Sequence, residues 1–243
     1  VERYEYERMA AVEERSWWFR GLHHNLIKAW HNTEAAAASP LLLDAGCGTG
    51  GLLSQLGRAA PQAQRFGIDL DRLAAATARD KSEALVAVGS TASLPVAAAS
   101  LDAVFSADVL CHRGVEPFAA LESILSCLKP GGVLILNLPA YPWLLSGHDH
   151  AVDNVRRFGR SDVHRLLKDA GYGRIRTRYW NSLLFPLMVL RRFTHPHGAS
   201  DVALLPAPIE RLFHAIVGIE AWLGDRGLYF PFGGSILATA VKP

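Results

Sequence analysis

The chain has 243 residues, half of them hydrophobic and a fifth charged, with 25 Lys and Arg against 23 Asp and Glu. That is enough for one large core, and the small net charge of +2 gives no argument for a nucleic-acid partner. Cys47, Cys111 and Cys127 lie far apart, which fits neither a disulfide framework nor a metal cluster, so no metal site is expected and a reducing cytoplasm suits the chain.

The first forty residues read as helix and are expected to form an N-terminal cap (1–40) on the main domain (41–243). The first twenty are charged and aromatic, without the apolar centre of a signal peptide. Tyr6, Met9 and Val12, then Trp17, Trp18 and Phe19, make an irregular apolar stripe. Leu22, Leu26, Ile27 and Trp30 continue it at helical spacing. The Trp17–Phe19 cluster has two readings, a lid over a ligand or packing for its own helix.

From Leu41 the pattern alternates. Apolar runs at 41–45, 65–69, 85–88, 101–106 and 133–138 predict five strands, with helices over about 52–60, 71–84 and 117–128 between them. Near-continuous apolar strands between amphipathic helices imply a parallel sheet covered on both faces, doubly wound by right-handed crossovers. Two more strands are predicted at 174–180 and 235–241. The stretch between them, about 182–232, is too long for a structureless loop. Ile209, Leu212, Phe213, Ile216, Ile219 and Leu223 follow helical spacing there, so a helical insertion is expected. Its apolar run Leu183–Leu190, followed by Arg191 and Arg192, is far shorter than the roughly 20 residues of a membrane span.

Leu43-Asp44-Ala45-Gly46-Cys47-Gly48-Thr49-Gly50-Gly51 is the most informative segment. A glycine turn between a strand and a helix lets backbone approach a ligand, and the helix behind it presents unpaired N–H groups. Gly46, Gly48 and Gly51 also satisfy the dinucleotide pattern G-x-G-x-x-G, and Asp69 stands where an acid would hold ribose hydroxyls in either case. A nucleoside-type ligand is expected; the spacing leaves open whether it is a dinucleotide.

The D-A-G-C-G-T-G form of this turn resembles that of the class I S-adenosylmethionine-dependent methyltransferases. So do Ser90–Pro95 after the third strand, Ser100–Val104 and Val109–His112 around the fourth, and Leu128–Gly132 before the fifth. The resemblance covers about 41–172 in register. It implies an α/β fold, a doubly wound, mostly parallel seven-stranded sheet whose last strand is antiparallel, and S-adenosyl-L-methionine as cofactor. By position, Gly46, Gly48 and Gly50 would pass the methionine part, with Asp44 beside them. Asp69 would take the ribose hydroxyls, Leu70 would cover an adenine face, and backbone at Ala107 would line the methionine side. Ser90 stands where the family often has aspartate and would be a weaker, uncharged acceptor for the adenine amine, which leaves the Thr91 backbone a larger share.

Arg15–Arg20 further resembles the H-W-W-F signature of a bacterial methyltransferase group associated with sugar, lipid or polysaccharide pathways. Asp149 with 154–158 resembles that group's D…G-H-x-R-R-Y element. Ser16 and Asn154 replace its histidines, and Phe158 its tyrosine. The implied reaction is methyl transfer, first of all to oxygen on a small metabolite, sugar or lipid-linked acceptor. A base of near-neutral pKa would help, and His112, His148 and His150 are the candidates. Residues 151–200 hold ten Lys and Arg against three Asp and Glu, which favours an anionic acceptor or the inner face of an anionic membrane. Leu183–Phe193 and 209–223 are read as acceptor pocket, lipid contact or ordinary core. The alternatives to a methyltransferase are an NAD-linked dehydrogenase and a non-catalytic binding protein of the same fold.

Overall fold

The computed structural model describes residues 3–33, 38–194 and 204–243. Two helices, α1 (Arg3–Val12) and α2 (Trp17–His31), precede β1 (Leu41–Ala45), α3 (Gly51–Ala59), β2 (Gln64–Asp69), α4 (Arg72–Ser82) and β3 (Leu85–Val88). Then follow β4 (Leu101–Ala107), α5 (Pro117–Cys127), β5 (Leu128–Pro139), α6 (Gly147–Ala151), α7 (Arg160–Asp169), β6 (Gly173–Trp180), α8 (Phe185–Thr194), α9 (Ala207–Asp225) and β7 (Ser235–Val241).

The strands form one sheet in the order β3-β2-β1-β4-β5-β7-β6. β7 runs antiparallel to both neighbours and every other pairing is parallel. The expected doubly wound sheet is therefore present, with its antiparallel last strand between β5 and β6.

Alternation along the strands sends side chains to two covered faces. On one, Leu43, Val104 and Leu134 meet Leu121 and Ile124 of α5 and Val163 and Leu167 of α7. On the other, Leu42, Phe105 and Ile135 meet Leu26 and Trp30 of α2, Leu52 and Leu56 of α3 and Val217 of α9. α2 thus shares a core with the sheet. The first forty residues are not one helix: the chain turns over 13–15, and Ser16 is extended before α2 begins.

Helix starts follow local chemistry. The Asp71 side chain accepts from the amides of Leu73 and Ala74, and Glu116 accepts from Ala119 just ahead of Pro117. The insertion before β7 contains α8 and α9. Among the described residues, no helix is long and apolar enough to cross a membrane.

Candidate active site

The turn after β1 bends through three left-handed glycines, with φ of 87° at Gly46, 51° at Gly48 and 86° at Gly50. The Gly46 and Cys47 amides donate to the Ile68 carbonyl at 2.7 and 3.0 Å, tying the turn to β2. At the end of β2, Asp69 completes the brace. Its Oδ2 accepts from the Gly48 amide at 2.8 Å, and its Oδ1 from the Asp71 amide at 2.9 Å. A carboxylate oxygen takes more than one donor, so Asp69 can hold the turn and still receive ribose hydroxyls.

The three glycines differ in what a side chain would meet. At Gly46 a Cβ would lie 2.3 Å from Val109 Cγ2, and at Gly50 2.7 Å from the Ala78 backbone. At Gly48 the nearest atom is Met9 Sδ, 3.6 Å away. Gly50 is buried against α4, whereas Gly46 and Gly48 remain partly exposed. The approachable part of the turn is Gly46–Gly48, and Gly50 serves the packing of α3 on α4.

Carboxyl groups surround this turn. Asp44 is buried, and its Oδ1 has no hydrogen-bond partner. Burial, then the neighbouring Asp69 and Glu13, push its pKa up to about 8. Burial also raises Asp69, against the pull of the two amides it accepts from. Glu13, from the turn after α1, accepts from the Thr49 hydroxyl at 2.8 Å and pairs with Lys81 of α4. Burial raises Glu13 too, with Lys81 and Thr49 opposing. His23, beside Gly51, is held down to about 4 by burial and by Lys81, so it is neutral at physiological pH. Glu13 is thus paired with Lys81, and Asp44 is the buried carboxyl without a partner, a group that a cation would draw into its ionised form.

The opposite wall comes from the end of β4. Ala107 is half-buried, and Asp108 behind it takes a left-handed φ of 54°. The Asp108 amide donates to the Asn137 carbonyl at 2.9 Å, and its Oδ1 accepts from Asn137 Nδ2 at 3.0 Å. Asn137 Oδ1 accepts from Trp180 Nε1 at 2.7 Å, and Trp180 stacks on Trp18 with ring centroids 4.9 Å apart. Burial pushes Asp108 up to about 7, against the pull of Asn137 and Arg157. Sequence reasoning named Ala107 and passed over Asp108; the available signal was an acid directly after an apolar strand, one residue before the valine that packs on Gly46.

The other expected residues fall as follows. Leu70 is 72% exposed, an uncovered apolar side chain next to Asp69. Thr91 is buried; Ser90 is exposed, its hydroxyl accepting from the Ala92 amide at 3.2 Å. His112 is half-buried; burial lowers its pKa, with Asp153 and Asp69 opposing. His150 is exposed on α6, and the His148 side chain lies outside the described residues. Between them Asp149 is fully buried, binding Arg157 at 2.7 Å and Arg192 at 2.8 Å, and so serves as an internal ion cluster. Trp17 and Trp18 pack edge-on to Phe213 and flat on Trp180, as helix packing and not as a lid.

Residues 43–136, from the end of β1 to the middle of β5, match the family profile described as "Methyltransferase domain". Residues 43–136 of this chain are thus similar to a methyltransferase domain. The trans-aconitate 2-methyltransferase of Deinococcus radiodurans is 30% identical over 181 residues, 74% of this chain and 58% of that protein. The chain thus spans under three fifths of that relative. A Thermotoga maritima structure, described as a SAM-dependent methyltransferase and possible histamine N-methyltransferase, aligns at TM-score 0.62 and 17% identity over 98% of this chain and 95% of that one. Phosphoethanolamine N-methyltransferase 2 of Haemonchus contortus, solved with S-adenosyl-L-methionine, aligns at TM-score 0.61 and 17% identity over 90% and 52% of the two chains.

S-adenosyl-L-methionine would bring an ammonium, a ribose diol and an adenine to this turn. The unpartnered Asp44 oxygen suits an ammonium, Asp69 the ribose diol, and the bare Leu70 an adenine face. The residues present fit the cofactor.

Proposed function

We propose that this protein transfers a methyl group from S-adenosyl-L-methionine to a small acceptor, first of all to an oxygen. The observation that carries this reading is the buried, unpartnered Asp44 carboxyl in a turn that already holds Glu13 and Asp69. A buried carboxyl without a partner is answered by a cationic ligand group, which an amino-acid ammonium supplies. The dehydrogenase alternative shares the glycine spacing but brings no ammonium to this carboxyl.

When bound, the cofactor supplies an electrophilic methyl on a sulfonium sulfur. The protein's part is alignment and exclusion of water. Gly46–Gly48 and Asp69 fix one side, and Ala107–Val109 the other. Where the acceptor is a hydroxyl, its proton would have to leave as the oxygen takes up the methyl group. Asp108 at the end of β4, raised to about 7 by burial and held by Asn137, is the base in this reading. An anionic acceptor is supported by the ten basic residues in 151–200. It is also supported by the small polyanion named for the Deinococcus relative.

The test is titration with S-adenosylhomocysteine and, separately, with NAD and NADH. S-adenosylhomocysteine is expected to bind and to raise the melting temperature by mass action on the folded state. Protection by a nicotinamide cofactor alone would establish the alternative.

A further inference from the structure

Between α6 and α7 the chain crosses the carboxyl ends of β4 and β5 as a strap, residues 153–158. On the β4 side the Arg113 amide donates to the Asp153 carbonyl at 3.1 Å, and the Val155 amide to the Cys111 carbonyl at 2.9 Å. The Arg156 guanidinium donates to the Leu110 and Val115 carbonyls at 3.2 and 2.7 Å. On the β5 side the Phe158 amide donates to the Pro139 carbonyl and the Tyr141 amide to the Phe158 carbonyl, both at 2.9 Å. The strap is thus bonded to the loop that carries Asp108 and to the strand end beside it.

Asn154 and Arg157 are the strap's buried polar side chains. Asn154 Oδ1 accepts from Cys111 Sγ at 3.0 Å, and the same thiol lies 2.9 Å from the Asp108 carbonyl. Arg157 is held from two sides. Its Nε and Nη2 donate to Asp149 Oδ1 at 2.9 and 2.7 Å, and its Nη1 to the Ala140 carbonyl at 3.1 Å. A carboxylate on one edge and a carbonyl on another fix the plane of a guanidinium. Burying that charge is costly even when it is paired, and apolar side chains of similar volume would fill the space without the cost.

Asp108 is the neighbour for which a fixed cation matters. Its carboxyl is buried and accepts from the neutral Asn137 amide. Burial raises it to about 7; Asn137 and then Arg157 oppose the rise, and Asp149 adds to it. Cys111, on the same loop, is held well above the ordinary thiol range by burial and stays neutral.

We propose that Arg157 is a positioning residue for Asp108: the strap clamps its guanidinium between Asp149 and the end of β5, as a standing cation for the carboxyl that takes the acceptor proton. This role rests on the reading of Asp108 as the base. A base must be ionised to accept, so the cation keeps Asp108 usable near neutral pH, and Asp149 limits how far it does so.

The experiment is a carbon-13 titration of the aspartate carboxyls in the full chain without ligand, the Asp108 signal being assigned by its loss in Asp108→Asn. The wild-type midpoint is expected at about 7. Arg157→Met is expected to raise it, Arg157→Lys to restore it towards the wild type, and Asp149→Asn to lower it. Should the strap variants fail to fold, the wild type is read instead. Its Arg157 Nε–H resonance is expected to titrate with the Asp108 midpoint, and Asp108→Asn to abolish that titration. Unmoved midpoints, shifts of one sign in Arg157→Met and Asp149→Asn, or an Arg157 resonance indifferent to Asp108 overturn the proposal. Opposed shifts combined with full methyl transfer by Asp108→Asn would support the pairing of Arg157 with Asp108 and overturn only the base, so the two failures are told apart.

Discussion

Removing a proton from Asp44 is expected to be part of binding the cofactor. The folded, ligand-free carboxyl is pushed up to about 8, against an ordinary value of 3.8, by burial, Asp69 and Glu13. An acid raised in this way favours the folded state while protonated. That contribution is complete below the ordinary carboxylate range and is lost as pH climbs through about 8. A ligand ammonium needs the ionised form, so below about pH 8 each binding event must expel a proton. Linkage then gives a gain in affinity of about tenfold between about pH 6 and about pH 7, where the ammonium stays charged. Calorimetric titration of S-adenosylhomocysteine in two buffers of different ionisation enthalpy reads the proton directly. Close to one proton is expected to be released per ligand at about pH 6.5. His23, held down to about 4, stays neutral across this window. Glu13 and Asp69 also act on this carboxyl, so the contribution of Asp44 is isolated by Asp44→Asn, which is expected to bind weakly and lose most of the pH dependence. Flat affinity and coincident heats in the two buffers, for the wild type, would refute this reading of Asp44.

Asp69→Asn removes a charged acceptor from both the Gly48 amide and the ribose. S-adenosylhomocysteine affinity is expected to fall tenfold or more, at about 1.5–3 kcal/mol for hydrogen bonds to a charged group, measured by titration calorimetry. Asp108→Asn is expected to lower transfer of labelled methyl from S-adenosyl-L-methionine into a metabolite extract by about 10²–10⁴. Its S-adenosylhomocysteine affinity is expected to stay within a few-fold, and equal loss of both would place Asp108 in binding. Lys81→Met leaves Glu13 without its cation. Because Glu13 can take up a proton, the expected cost is about 2–3 kcal/mol, below that of a broken buried pair, or roughly 5–10 °C in Tm by calorimetry.

Strands buried on both faces announce themselves as apolar runs, so 101–106 and 133–138 are readable without any neighbour. The glycine turn is readable for a different reason: left-handed bends at Gly46, Gly48 and Gly50 admit few other residues. α7 escapes a pattern search because only Val163 and Leu167 of its ten residues are buried. Asp108 escapes because its environment is assembled from Asn137 and Trp180, distant in the chain. Glu13 is likewise defined by partners 36 and 68 residues away. Leu187, Leu190 and Phe193 of α8, all exposed, show a limit of another kind, since helical periodicity marks one apolar face and is the same whether that face meets a core or solvent.

A crystal structure grown with S-adenosylhomocysteine puts the reading of the β1 turn to its hardest trial. Its ammonium is expected within about 3 Å of Asp44 Oδ1, with the ribose on Asp69 and the adenine against Leu70. Density for the nucleoside elsewhere, or an Asp44 Oδ1 still without a partner at saturating ligand, would contradict it.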